Sequence, residues 1–404
     1  MISPDRTELQ DLVRQWHQQA LPWTPAGTGT RLHWGAPLEQ PQLLRTAKLN
    51  RLLHHSSGDF TVTVEAGLPL IELQVALAES KQWLAVDWPW GSEVNGDQSG
   101  TIGGLIARGM AGGFHQRYMG IRDQVIGLEV MRADGTVAKA GGQVVKNVAG
   151  YDLMRLFCGS WGSLGLITKV TLRTFPIQPY SAGLLFKGKS EDLEAMRKAC
   201  LINPFMTKRL DWLRLEEQMC LMLAMESISL NAIHAQTQDL LSISKDLKIQ
   251  GIVLDNDGIL DLESRGRAAG QDLKKERWLI QIEVPPAAAH QLLSKFQIEG
   301  DGFSLGAGSG QGLLWGGSDK IPAHKAKRLQ DECGRLGGKV FFLQRQADLP
   351  SAREFIVSRN QDLCCALKRE FDPLQQLKRP RASTQCRSSL QPSFTQSTDR
   401  HCWH

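Results

Sequence analysis

Two short glycine–threonine runs constrain this chain more than any other feature. They are Pro25-Ala26-Gly27-Thr28-Gly29-Thr30 and Ser99-Gly100-Thr101-Ile102-Gly103-Gly104, about seventy residues apart. Glycine lets a backbone turn sharply and approach a ligand, because no Cβ stands in the way. Threonine sets a hydroxyl beside exposed N–H groups, and clusters of such groups form concave sites that suit phosphate oxygens. Each run alone reads equally well as a plain turn. Two of them in one unit point to an elongated ligand with a diphosphate in its middle.

The surroundings read as mixed α and β. Ser3-Pro4 has the form of a helix cap with proline in the first turn, and Leu9, Leu12, Val13 and Trp16 follow at helical spacing. Leu21 to Thr24 predicts a short strand leading into the first run, Phe60 to Gly67 alternates with period two, and Pro69 opens a helix carrying Leu70, Leu73 and Leu77. Val125 to Met131 is an apolar run followed by Asp134-Gly135, a strong hairpin signal. Leu164 to Phe175 predicts another strand, closed by Pro176 and Pro179. These elements define a first domain over residues 1–179.

From 180 to 345 strands and helices alternate. Leu184–Phe186, Cys220–Ala224, Trp278–Val284 and Val340–Leu343 read as strands, and Glu191–Cys200, Ala232–Leu247, Ala287–Phe296 and Ala323–Leu336 as helices. This predicts a second α+β domain, an antiparallel sheet with helices on one face. Residues 346–377 form a C-terminal helical segment returning to the first domain. Residues 378–404 are Arg-, Ser-, Thr- and Gln-rich without hydrophobic periodicity and read as a disordered tail.

Composition excludes several classes. The formal charge is only +5, much of it in the last thirty or so residues, and no basic stripe interleaves with aromatics, so nucleic acid is not an expected partner. No run of about eighteen apolar residues exists and no signal peptide opens the chain, so the expected location is cytoplasmic. The eight cysteines are scattered with no CxxC pair, which predicts reduced thiols and places any iron–sulfur cluster on another subunit.

Two further segments sharpen the reading. Gly109, Gly112, Gly113 and Gly120 crowd together ahead of Asp123, implying backbone packed against something flat or charged. Then come Gly141-Gly142-Gln143-Val144-Val145-Lys146-Asn147-Val148-Ala149-Gly150-Tyr151-Asp152 and Gly159-Ser160-Trp161-Gly162-Ser163-Leu164-Gly165-Leu166-Ile167-Thr168. Lys146 either neutralises an anion or sits on the surface. His115 and Arg117 either face a ligand or are exposed loop residues.

In their order these four segments resemble the PCMH-type FAD-binding domain of the vanillyl-alcohol-oxidase superfamily, and most closely the FAD-binding E subunits of glycolate oxidases. The resemblance covers about residues 3–178 and continues weakly to Leu377, where Phe371-Asp372-Pro373 is similar to the family's closing segment. It implies an FAD site with Gly27, Thr28, Gly29 and Thr30 at the diphosphate. Thr101, Ile102, Gly103 and Gly104 come near the diphosphate and ring. Gly162, Leu164, Gly165 and Ile167 flank the adenosine side, and Asp123 counts among the binding residues. Many relatives attach FAD through a histidine where this chain has Thr30, so the resemblance implies non-covalent FAD; His33 is out of that register.

Catalytic hydroxy-acid dehydrogenases of the superfamily carry a histidine- and acid-bearing segment in the second domain, often with a metal. The corresponding stretch here, Leu305 to Gly312, has neither histidine nor acid. Hydroxyl deprotonation and metal ligation both need such groups. No metal and no catalytic residue are therefore assigned. The implied function is an FAD-binding subunit of a complex that oxidises glycolate or D-lactate. Its partners would be a catalytic FAD subunit and an iron–sulfur subunit, and contact with a membrane would be at most peripheral, through them. The alternative is a stand-alone FAD-dependent alcohol or hydroxy-acid oxidoreductase.

Overall fold

The computed structural model describes residues 2–35, 42–87, 100–142, 152–215, 218–269, 277–295, 302–317, 319–344 and 361–377. Ser99, Gln143–Tyr151 with Lys146, and the tail from 378 lie outside them.

Helix α1 (Arg6–Gln18) begins at Asp5, whose carboxylate accepts from the Thr7 and Glu8 N–H groups while Glu8 reaches back to the Asp5 N–H. This reciprocal cap takes the place expected of Ser3, because only Asp5 has a Glu three residues on. Leu9, Val13 and Trp16 are buried. Strand β1 (Trp23–Ala26) pairs in parallel with β2 (Gln42–Arg45). There follow β3 (Leu52–Ser56), β4 (Thr61–Glu65), α2 (Leu70–Ala78), β5 (Gln82–Trp83), α3 (Ile102–Arg108), α4 (His115–Tyr118), α5 (Ile121–Gln124), β6 (Val125–Met131), β7 (Val137–Gly141), α6 (Met154–Phe157), β8 (Leu166–Arg173) and β9 (Phe175–Pro176). Among the described residues a five-stranded antiparallel sheet runs β3-β4-β8-β6-β7. The turn between β6 and β7 is the expected Asp-Gly one: Asp134 Oδ1 accepts from Thr136 N at 2.8 Å and Gly135 has φ +80°.

The next elements are β10 (Tyr180–Lys187), α7 (Ser190–Ile202), β11 (Thr207–Leu215), β12 (Gln218–Ser227), α8 (Leu230–Asp246), β13 (Gln250–Leu254), α9 (Asn256–Ala269), β14 (Arg277–Glu283), α10 (Ala289–Lys295), β15 (Gly302–Gly306), β16 (Gln311–Gly317), α11 (Ala323–Arg335), β17 (Lys339–Gln344) and α12 (Gln361–Phe371). Their described strands form an antiparallel sheet in the order β13-β10-β12-β11-β15-β16-β14-β17. Side chains alternate between its faces. Phe186, Trp212, Leu223 and Ile280 join a core with α7, α8, α10 and α11. Leu185, Leu213 and Met222 meet Leu262 of α9, while Leu279, Leu313 and Leu343 meet Trp34 and Met110 of the first unit. Helices therefore lie on both faces, with four on one and α9 on the other. A strand buried on both sides reads as a continuous apolar run, which is why β12 (QMCLMLAMES) shows no polar alternation.

One thiol departs from expectation. Cys158, Cys200, Cys220, Cys333 and Cys364 are free, but Cys365 is disulfide-bonded. Burial pushes the Cys158, Cys200 and Cys333 thiols up to about 12, which keeps them protonated and inert, whereas Cys365 lies half-buried on α12.

Where the two units meet, ionisable groups are buried. Phe114 N donates to Asp87 Oδ2 at 3.0 Å, and Asp87 faces Arg209 at 3.6 Å, itself paired with Asp211. Tyr118 donates to Glu226, which also meets Lys208 at 3.4 Å and Arg117 at 3.9 Å. Burial outweighs these cations and pushes Glu226 up to about 7, and Asp87 up to about 6. Both carboxyls thus hold protons in the fold at pH values where the unfolded chain has lost them. Their contribution to stability is present in acid and is lost as pH rises through about 6 to 7. Glu226→Gln, which keeps an acceptor for Tyr118, is expected to be more stable than the parent above neutrality, by about 2 kcal/mol at most. The difference between parent and variant should shrink towards pH 5, read as denaturant midpoints across pH; a difference that is flat with pH contradicts the assignment.

Candidate functional site

The two glycine runs meet. A Cβ built on Gly27 would lie 2.2 Å from Thr101 Oγ1, so β1 and the start of α3 touch through a position only glycine fits. Gly29 adopts φ +84°, and an added Cβ there would meet Arg45 Nη2 at 3.1 Å. On the other side Gly103 packs against Ala66, where an added Cβ would meet Ala66 atoms at 3.0 Å. Between these elements and the segment from Trp161 to Ile167 lies a cleft of about 750 Å³ of empty space, open solvent included.

The two runs contribute differently. At the start of α3, Thr101 Oγ1 accepts from Gly104 N at 3.3 Å, Ile102 N donates to Leu68 O at 3.0 Å, and Gly103 N to Ala66 O at 2.7 Å. Those amides are spent. By contrast, the N–H groups of Gly27, Thr28, Gly29 and Thr30 have no acceptor among the described residues, and Thr28 Oγ1 is buried without a hydrogen-bond partner. A buried hydroxyl is almost always satisfied, so the idle Thr28 Oγ1, with the unpaired amides of this half-buried run beside it, marks a place for acceptor oxygens.

Charge agrees. Arg31 Nη1 donates to Thr30 Oγ1 at 2.7 Å, and burial pushes its guanidinium down to about 9. Arg108 lies 3.7 Å from the centre of the Trp161 ring. The Arg45 guanidinium packs against Gly29. No carboxylate is among the described residues that line the cleft. Donors and arginines without acids form an anion site.

The third wall continues from the end of α3. Gly109, at φ +60°, caps the helix by donating to Leu105 O, and Gly159 N and Trp161 N donate to Ile106 O and Ala107 O. Gly162 turns at φ +73°, and Gly165 lets β8 pass under Met131 O.

Of the residues expected at the site, Gly27, Thr28, Gly29, Thr30, Thr101, Gly103, Gly104, Gly162, Gly165 and Ile167 line this cleft. Ile102 and Leu164 instead point into the core beneath it, and Asp123 sits on α5 beside Gly120, away from the lining. His115 and Arg117 are not on the cleft either; Arg117 faces Glu226 across the seam between the units. Sequence reading missed Arg31, Arg108 and Trp161, although each is within a few residues of a glycine that it singled out. The residues present fit a dinucleotide diphosphate at the first run.

Residues 4–141 match the family described as FAD binding domain. The chain is 34% identical over 178 residues to the glycolate oxidase subunit GlcD of Bacillus subtilis (strain 168), covering 44% of this chain and 37% of that protein. It is 32% identical over 171 residues to the glycolate oxidase subunit GlcE of Escherichia coli (strain K12), covering 41% and 47%. It is 34% identical over 174 residues to a probable mitochondrial D-lactate dehydrogenase of Danio rerio, covering 42% and 33%. The chain thus spans less than half the length of these curated relatives in the matched region. A solved structure of alkyldihydroxyacetonephosphate synthase superposes with a TM-score of 0.66 at 14% identity, covering 94% of this chain and 75% of that one, a likeness of fold. The N-terminal part of this chain is an FAD-binding domain of the PCMH type, and FAD is its cofactor.

Proposed function

We propose that this chain is the FAD-binding subunit of an oxidase or dehydrogenase complex acting on glycolate or another small 2-hydroxy acid, with a catalytic FAD subunit and an iron–sulfur subunit as partners. The observation that carries the cofactor half of this reading is the row of idle donors from Gly27 to Thr30 in a cleft whose described lining carries no acid. Those amides and Thr28 Oγ1 bind the diphosphate, Arg31 supplies positive charge, and Gly165 and Ile167 flank the adenosine side. Bound FAD supplies a carrier that takes two electrons and can pass them on singly. No histidine or cysteine is among the described residues lining the cleft, and Thr30 stands at the attachment position, so FAD is held without a covalent bond. The same reading divides the chain at 179 and 345 into a cofactor domain, a second α+β domain and a returning C-terminal segment.

The partner half rests on the turn between β15 and β16. Residues Ala307 to Gly310 carry no acid or histidine, and the turn is pressed against the first unit: Ser309 Oγ donates to Gly112 O at 3.2 Å, and a Cβ on Gly306 would lie 2.5 Å from that oxygen. A general base and a substrate pocket at this turn would both need room that main chain now fills. Oxidation of the α-carbon, with loss of a hydride and the hydroxyl proton to give the 2-oxo acid, therefore belongs to the partner. The names of the relatives as glycolate oxidase subunits support a multi-subunit assembly. Among the described residues no helix is long and apolar enough to cross a membrane, and the proposed location is cytoplasmic with peripheral contact through partners.

The test is a visible spectrum of the purified chain with FAD, followed by anaerobic glycolate or D-lactate. A yellow protein that releases its FAD on acid precipitation, and that bleaches only when partner subunits are added, is the expected result. Bleaching by the acid alone would establish a stand-alone oxidoreductase, and a chain that takes up no FAD would refute the reading.

A further inference from the structure

The first glycine run has little to hold its shape from within. Between Gly27 and Gly35 its own main chain makes two turn bonds, Leu32 N to Gly29 O and Trp34 N to Arg31 O, both at 3.3 Å and so at the weak end of the range. A segment that is ordered before a ligand arrives spares the ligand that entropic cost, and one that is loose takes it from the affinity.

The order comes from outside. Arg108, the last residue of α3, is buried with its guanidinium 3.7 Å from the Trp161 ring centre and 5.3 Å from that of Trp34. Its Nη2 donates to Arg31 O at 2.9 Å. Arg31 lies over the same Trp34 at 5.6 Å. Gly35, at φ +82°, sits so close to Trp161 that a Cβ there would meet the ring at 2.9 Å, and its N–H donates to Leu343 O of β17 at 2.8 Å. One planar cation thus ties the far end of the loop to α3, to the 159–162 wall and, through Trp34 and Gly35, to the second sheet.

We infer that Arg108 is a positioning residue for the cofactor: packed on the Trp161 ring, within cation–π reach of Trp34 and bonded to the Arg31 carbonyl, it holds residues 27–34 in the shape whose free amides receive the diphosphate. This rests on the assignment of the diphosphate to the first run. The role needs a flat, stackable group that also donates in its own plane, which a lysine ammonium does not provide.

The experiment measures the dissociation constants of FAD and of ADP for the full-length apoprotein and for Arg108→Lys, Arg108→Gln and Trp161→Phe, at several salt concentrations, with hydrogen exchange of residues 27–35 before ligand is added. Both Arg108 variants are expected to weaken FAD and ADP by about tenfold or more and to speed exchange in 27–35, while Arg108→Lys, which keeps the charge, leaves the salt dependence of binding that of the parent. Trp161→Phe, which keeps a ring under the guanidinium, is expected to weaken binding by only about threefold at unchanged thermal midpoint, and it carries the test if Arg108→Gln does not fold. Parental affinity in Arg108→Lys overturns the inference, since charge alone would then suffice. Weaker binding in Arg108→Gln with parental exchange in 27–35 also overturns it, since Arg108 would then act on the phosphates through its charge and not by ordering the loop. Gly29→Val separates the underlying assignment: if it binds FAD like the parent, the first run is not the diphosphate site, whereas its loss beside a normal Arg108→Gln removes only the role of Arg108.

Discussion

Replacing Gly27 with alanine is expected to weaken FAD binding by about thirtyfold, and with valine by more than a hundredfold, on the order of 2 and 3 kcal/mol. The reason is a single contact. The added methyl would sit 2.2 Å from Thr101 Oγ1, 2.8 Å from its Cγ2 and 3.0 Å from its Cβ. Thr101 cannot swing aside cheaply. It is β-branched, and its hydroxyl caps α3 through Gly104 N, a bond whose loss costs about 1 kcal/mol. The first run must therefore lift away from α3, carrying its idle amides off the cleft. Thr101→Gly removes the obstructing side chain altogether. The double variant Gly27→Ala with Thr101→Gly is accordingly expected to bind FAD better than the two single losses added together would allow, with a coupling of about 1 kcal/mol. Titration of the four proteins with FAD, followed by flavin fluorescence, checks both statements. A Gly27→Ala protein with the parental dissociation constant would show that the contact between the runs does not shape the site.

That contact joins two places the sequence marks by composition and leaves unconnected. The need for glycine at 27, 29, 103, 162 and 165 was legible because each lets main chain come close to something or, as at 162, turn at positive φ, and the β6–β7 hairpin was legible from Asp134-Gly135 between apolar runs. The division of labour between the runs was not. Both show glycine beside threonine, yet the amides at 102 and 103 are taken up by Leu68 O and Ala66 O, carbonyls that long-range packing brings to them. Nothing local distinguishes a spent amide from an idle one. For the same reason Ile102 and Leu164 were grouped with their glycine neighbours although their side chains belong to the core. Arg108 and Trp161 escaped notice because a cation over a ring depends on two segments meeting, here the end of α3 and the 159–162 turn.

The second unit was legible where one face dominates. The helices α7, α8, α10 and α11 came close to their expected bounds because each buries one stripe. Strand β11 (TKRLDWLRL) did not, since its seam-facing positions carry Asp211 and Arg209, a pair whose cation meets its other partner, Asp87, only where the two units come together. The glycine-rich Leu305 to Gly312 stretch gave up its chemistry by omission. What its glycines do, bringing the turn between β15 and β16 against Gly112 O, needed the fold.

Asp372→Ala is expected to cost about 3 to 5 kcal/mol of stability and to lower the thermal midpoint by roughly 5 to 10 °C, although residue 372 lies more than two hundred residues from any glycine of the second run. The Asp372 side chain is fully buried. It accepts from Gln376 N at 2.9 Å, Leu377 N at 2.8 Å and Lys368 Nζ at 2.5 Å. Lys368 in turn donates to Ser163 O at 2.7 Å, in the turn between the Trp161 wall and β8. The segment so folded closes the first domain. Gln376 Nε2 donates to Trp16 O and Leu21 O, Gln376 O accepts from Trp23 N at 2.8 Å, and Leu377 packs with Leu9, Val13, Trp16 and Trp23. Strand β1, which delivers the first run, is thus held by β2 on one edge and by residues 376–377 on the other. Losing the carboxylate strands the Gln376 and Leu377 amides and removes the counter-charge of the half-buried Lys368 ammonium, which keeps the Ser163 and Leu377 carbonyls. Lys368→Met with Asp372→Asn, which removes both charges and keeps the volume, is therefore expected to lose less than Asp372→Ala alone. Because the damaged segment borders β1, saturating FAD should raise the midpoint of Asp372→Ala by fewer degrees than it raises the parent's, as weaker binding contributes less through mass action. Equal shifts in the two proteins would show that the C-terminal segment supports the fold without reaching the cofactor loop.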